Sequence, residues 1–164
     1  MNIYLDLEET VIDDWYSVCF LEHKILIIKD IIQNLTEKYN DYDVNLILFS
    51  AAVCNEDDIK IFENNIKNDL ENKLGILFSS YYTFSNKNIF KLAKQNGIKI
   101  LPDDTIHDIF MFNIKEEVFN LLCKKNKGIN VLFDDTVSTK TITHSKTKEM
   151  FNNIHTRIDI CVNI

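Results

Sequence analysis

Asn2-Ile3-Tyr4-Leu5-Asp6-Leu7-Glu8-Glu9-Thr10 is the stretch on which the reading of the whole chain turns. A short apolar run of strand length stops at a carboxylate, and two further acids and a threonine follow at once. A buried strand that ends this way carries charge to one edge of a sheet. Burial there is unfavourable unless a cation or hydrogen-bond donors meet the carboxylate. Asp6 also interrupts the run too early for it to be the apolar centre of a signal peptide.

Two later segments repeat the pattern. Residues 44–49 form an apolar strand that ends in Ser50, and residues 130–133 form another that runs into Asp134-Asp135. Segments of helical period lie between the strands. Residues 23–39 place Ile27, Ile28, Ile31, Ile32 and Leu35 at spacings of three and four. Residues 55–73 begin with Asn55 as cap and Glu56, Asp57 and Asp58 in the first turn, and Gly75 follows their end. Residues 75–84 are expected as a third strand, 86–96 as a helix and 98–101 as a short strand. A turn at Pro102-Asp103-Asp104 and an extended piece at 109–112 follow. Helices are expected at 115–125 and 146–153, and a last strand at 157–162.

Strands separated by helices predict an α/β domain of three αβα layers, Rossmann-like, with a mostly parallel sheet covered on both faces. No repeat or break in composition divides residues 1–164, so one domain is expected, with room for a small insertion around 81–112.

Composition narrows the function. Hydrophobic residues make up 46% and charged residues 26% of 164, the balance of a soluble globular protein. No apolar run approaches the roughly 20 residues that span a bilayer, so no membrane partner and a cytoplasmic location are expected. The net charge of −7 argues against an extended grip on nucleic-acid backbone, which needs a basic surface. Cys19, Cys54, Cys123 and Cys161 form no CxxC pair and are expected as small core residues. Abundant Ile, Asn and Lys beside 3 Gly and 1 Pro fit an AT-rich genome, viral or low-GC bacterial; a viral chain would work in the host cytoplasm.

In an open α/β sheet, ligands bind beyond the carboxyl ends of the strands. Asp6, Ser50 and Asp134-Asp135 all end strands, and Lys115 opens the helix that leads into the last acidic one. A strand ending in a DxDxT-type signature, a second ending in Ser, a later Lys and a strand ending in paired acids resemble, in order, the four motifs of the haloacid-dehalogenase-like (HAD) superfamily. The resemblance covers nearly the whole chain. Asp6-Leu7-Glu8-Glu9-Thr10 is similar to the DLDET form of some aspartate-dependent phosphatases of that superfamily.

The resemblance implies a phosphomonoester hydrolase. Asp6 would attack phosphorus and become an aspartyl-phosphate. Mg²⁺, held by Asp6, the Glu8 carbonyl, and Asp134 or Asp135, would neutralise the phosphate. Ser50 would hold phosphoryl oxygens, Lys115 would balance the nucleophile and bind phosphate as a point charge, and Thr10 would buttress the loop. The chain departs from the family at Glu8, where its phosphatases usually carry Asp as general acid and base. Glutamate performs the same proton chemistry one methylene further out, and a misplacement of about 1 Å can lower a rate roughly a hundredfold.

Other polar groups read as scaffold or surface. Lys87, Lys91 and Lys99 compete with Lys115, whose place ahead of the acidic strand favours it. Asp103, Asp104, His107 and Asp108 read as a solvated loop. Trp15 and Tyr16 read as packing residues before substrate-stacking ones, and Phe78, Tyr81, Tyr82 and Phe84 as core and sheet surface. His23, His144 and His155 have no catalytic spacing. A receiver-like signalling domain uses the same residue types, but there an acidic pair precedes the phosphorylated Asp; here the pair comes last.

With little room for a cap, an open site is expected, fitting the terminal phosphate of a large substrate or a homo-oligomer that closes over a small one. A phosphorylated small molecule, above all a nucleotide, is the leading substrate, with nucleic-acid ends next. A HAD-like binding or regulatory protein of low turnover is the alternative, favoured by Glu8.

Overall fold

The computed structural model describes residues 1–53, 55–82, 115–135, 145–151 and 156–163. Strands β1 (Asn2–Leu5), β2 (Asn45–Leu48), β3 (Phe78–Tyr81) and β4 (Gly128–Asp134) run parallel, while β5 (Ser145–Phe151) and β6 (Thr156–Asn163) pair antiparallel. The sheet order is β3-β2-β1-β4-β6-β5. The fold is α/β with a mostly parallel sheet, as the alternation of strand and helix patterns predicts.

Register determines where the polar strand ends meet. Leu5 lies beside Leu48 on one side and Phe133 on the other. The Asp6 amide donates to the Phe133 carbonyl at 3.1 Å and the Phe49 amide to the Leu5 carbonyl at 2.8 Å. Residues 6, 50 and 134 therefore leave the sheet at one edge. The chain winds from β1 toward β2 and β3, then returns to place β4 on the other side of β1. That reversal makes the ends of β1 and β4 a switch point of the strand order, the place where open α/β sheets bind ligands.

Helix α1 (Glu22–Lys38) buries Ile25, Ile28, Ile32 and Leu35, the 3-4-3 spacing of an amphipathic helix. Asn55 caps α2 (Glu56–Phe62): its side chain accepts from the amides of Asp57 and Asp58, and Asp58 reciprocates toward the Asn55 amide. A π-helical turn at Glu63–Lys67 joins α2 to α3 (Asn68–Leu74), which Gly75 ends with a φ of 74°. Glu71 is buried, and its carboxylate accepts the Phe78 amide at 2.7 Å, which pins the start of β3.

Alternation along the strands builds two cores. Ile3, Leu5, Leu46, Leu48, Val131 and Phe133 join the cluster that includes Ile25, Ile28, Phe62, Ile66 and Leu70. Tyr4 points the other way. Its ring meets Phe49 and Phe119 edge-on, at centroid distances of 5.5 and 5.6 Å. Phe119 belongs to α4 (Lys115–Lys125), so this helix covers the second face and completes three layers. At the edge opposite the acids, Asn45 donates to Asn2 and Asn2 to Asn130, both at 3.2 Å, an amide ladder across β2, β1 and β4.

Two expectations are corrected. Residues 146–151 belong to β5, not to a helix. Lys146, Lys148, Glu149 and Met150 favour helices by themselves, but the segment lacks an apolar face at spacings of three and four. It lies at the sheet edge, where charged residues are ordinary, and pairing with β6 overrides local preference. Cys19 is exposed, whereas Cys123 and Cys161 are buried as expected. The segments expected at 86–96, 98–101 and 109–112, and nearly all of the insertion expected at 81–112, lie outside the described residues. Among the described residues no helix is long and apolar enough to cross a membrane.

Candidate functional site

The loop after β1 is a tight turn that folds beneath its own first residue. The Leu7 carbonyl accepts the amides of Thr10, Val11 and Ile12 at 3.2, 2.8 and 3.0 Å. Glu9 takes a φ of 55°, and Lys24 Nζ donates to the Glu9 carbonyl. This geometry buries Thr10 completely and brings its Oγ1 to 3.4 Å from Asp6 Oδ2. Asp6, Ser50 and Asp134 are also buried. Ser50 lies close enough to Asp6 to lower its pKa, and its Oγ accepts the Ala52 amide at 3.3 Å.

From α4, Lys115 reaches both strand ends. Its Nζ lies 2.8 Å from Asp6 Oδ1 and 2.6 Å from Asp134 Oδ2. Carboxylate oxygens of Asp6, Asp134 and Asp135 all lie within 4.8 Å of one another. Asp6, Thr10, Ser50, Lys115, Asp134 and Asp135 thus come together. No family model, curated protein or solved structure matches this chain.

Three acids beside one ammonium leave an excess of negative charge in a dry place. Burial raises the Asp6 pKa against the pull of Lys115, and Asp134 raises it further. Asp135 is pushed up to about 8, by burial first, then by the charges of Asp6 and Asp134 and a hydrogen bond with Asp6. Both acids are thus held above the ordinary carboxylate range, and they titrate as a coupled pair. Burial alone would lower the Lys115 pKa, but Asp134 and Asp6 outweigh it and raise it, so the ammonium stays charged.

The donor set suits a hard divalent cation. Oxygens around Mg²⁺ at about 2.1 Å stand about 3 Å apart when adjacent and about 4.2 Å when opposite. Three carboxylates within 4.8 Å need only side-chain adjustment to reach that spacing, and a divalent charge would relieve the repulsion that raises the pKa of Asp6 and Asp135.

Glu8 turns elsewhere. Its Oε1 accepts the Trp15 main-chain amide at 3.0 Å, and among the described residues no contact joins its carboxylate to the acidic cluster. Nothing in the sequence signals this bond, because its donor is a backbone group. Lys24 was also invisible as a brace of the loop: a lysine facing a carbonyl across fifteen positions leaves no pattern. Trp15 itself packs against the core, as expected, but Tyr16, expected to pack as well, is 94% exposed.

Proposed function

We propose that the protein is a HAD-like, Mg²⁺-dependent phosphomonoester hydrolase that works through an aspartyl-phosphate on Asp6. The observation that carries this reading is the meeting of Asp6, Asp134 and Asp135 within 4.8 Å, with Lys115 bridging two of them. Such a site places a nucleophilic carboxylate beside a cation-binding pair and a fixed positive charge, the parts that phosphoryl transfer to a carboxylate requires.

In the first step an Asp6 oxygen bonds to phosphorus while the ester oxygen departs and takes a proton. In the second, water attacks the same phosphorus, loses a proton and frees the Asp6 carboxylate. Asp6, Asp134, Asp135 and the Glu8 carbonyl would hold Mg²⁺, which would supply charge neutralisation for the phosphate dianion. Ser50 holds a phosphoryl oxygen, Lys115 carries charge to the phosphate, and Thr10 keeps Asp6 oriented. A nucleotide is the leading substrate, with nucleic-acid ends second, since a net charge of −7 disfavours long polyanions.

Phosphate release from p-nitrophenyl phosphate and from a panel of nucleotides and sugar phosphates tests the reading. Release that requires Mg²⁺ and disappears in Asp6→Asn supports it; release that persists in Asp6→Asn defeats it. The bond between Glu8 and Trp15 favours a second reading, a HAD-like binding or regulatory protein of low turnover. Calorimetric Mg²⁺ binding without release across the panel would favour that second reading.

A further inference from the structure

The hydrogen-bond ladder of the sheet runs one residue past the strand ends. The amides of Asp6, Phe49 and Tyr82 donate to the carbonyls of Phe133, Leu5 and Leu48, at 3.1, 2.8 and 2.8 Å. Leu5, Leu48 and Tyr81 lie level across β1, β2 and β3, so Asp6, Phe49 and Tyr82 form the next row. That row stands on the face that α4 covers. Lys115 reaches Asp6 from α4, and a series of rings runs from Phe119 of that helix through Tyr4 and Phe49 to Tyr82, the last two 5.4 Å apart between centroids. The neighbouring Tyr81 turns to the other face, where its ring meets Phe62 and its hydroxyl donates to Glu63 at 2.9 Å.

Phe119, Tyr4 and Phe49 are buried, whereas Tyr82, at the end of the series, is half-buried. Among the described residues no hydrogen bond engages its hydroxyl. Three buried rings thus hold one partly exposed ring on the face of the acidic site, two strands from Asp6, a separation of about 10 Å. We propose that Tyr82 is a specificity-determining residue that stacks on the base of a nucleoside monophosphate whose phosphate lies at Asp6. A phosphorylated glycerol or triose ends short of that ring, whereas a nucleotide carries its base a whole pentose beyond phosphorus. Base and phenol are both planar and aromatic, so stacking removes apolar surface from water and leaves no polar group unpaired. The inference rests on the phosphatase reading above and commits its substrate to the nucleotide class.

Ribose 5-phosphate is the control, since it has the pentose and the leaving oxygen of AMP and lacks the base. With Mg²⁺, wild type should favour AMP over ribose 5-phosphate in kcat/KM by about tenfold or more, the size of one base stacked on one ring. Tyr82→Leu, which keeps apolar packing against Phe49, should lower that ratio about tenfold, and Tyr82→Phe and Tyr82→Trp should keep it. A ratio near one in wild type, or a ratio unchanged in Tyr82→Leu, overturns the inference and spares the phosphatase reading. No release from any phosphate ester, p-nitrophenyl phosphate included, defeats both.

Binding without turnover supplies the second readout. In Asp6→Asn with Mg²⁺, AMP should move the ring proton resonances of Tyr82 upfield, the effect of a base stacked over them, and ribose 5-phosphate should leave them in place. Those resonances are identified by their loss in Tyr82→Leu. AMP that binds with Tyr82 unmoved, or no more tightly than ribose 5-phosphate, refutes the stacking role.

Discussion

Lys115 Nζ sits between Asp6 Oδ1 and Asp134 Oδ2, at 2.8 and 2.6 Å, so one ammonium ties the end of β1 to the end of β4. The three side chains are nearly buried, and the pairing holds together two strands whose acids would otherwise repel.

Removing that ammonium should therefore be felt as stability. Lys115→Met leaves buried carboxylates without a counter-charge and should destabilise the metal-free protein by about 3 kcal/mol. A divalent cation takes over the same task, so Mg²⁺ should raise the melting temperature of Lys115→Met more than that of wild type. Thermal melts in chelator and in Mg²⁺ check both effects; a variant as stable as wild type in chelator would contradict the assignment.

The raised pKa values of Asp6 and Asp135 make a pH prediction. Asp6 and Asp135 hold protons in the folded state to higher pH than in the unfolded chain, where a carboxylate titrates near 3.8. The folded protein thus binds more protons between about 4 and about 8, and metal-free stability falls as pH rises through that window. Above it the loss is complete. Mg²⁺ displaces the proton, so the stabilisation it brings should grow with pH up to about 8. Melts from pH 5 to 9, with and without Mg²⁺, would expose a flat profile if the acids were not coupled.

Ser50 is buried near Asp6, and the phosphatase reading assigns it a phosphoryl oxygen. Ser50→Ala should lower kcat/KM about tenfold, the size of one hydrogen bond lost to a charged group. Its fold should be little changed, since alanine fits the same buried turn. Steady-state kinetics beside a melting curve distinguishes the two effects.

The amide ladder at the far edge gives a control. Asn130 is buried, accepts from Asn2 and donates to the Asn126 carbonyl at 3.2 Å. Asn130→Leu strands those partners and should destabilise the fold by about 1–3 kcal/mol in urea titration. Asn130 lies four residues, about 13 Å, from Asp134 along β4, so activity per folded molecule should be preserved.

The meeting of Asp6, Ser50, Lys115, Asp134 and Asp135 was legible because strand ends are marked by a switch from apolar to polar residues, and a parallel sheet brings such ends to one edge. The helices at Glu22–Lys38 and Lys115–Lys125 were legible for a different reason, the spacing of their apolar residues. Ser145–Phe151 misled because its residues state a local preference that a sheet neighbour overrules. The Glu8 bond to Trp15 and the Glu71 bond to Phe78 were invisible because their donors are main-chain amides, which every residue but proline offers alike.

The π-helical turn at Glu63–Lys67 carries one more residue than an α-helical turn would hold. Excising a single exposed asparagine, Asn64 or Asn65, would let the segment rewind as ordinary α-helix with the residues after it still facing as they do. Glu71 would keep its hold on the Phe78 amide, and the strand on that flank its anchor. The same one-codon loss from the regular helix α1 would instead turn every later residue by about 100° and carry its apolar face off the core.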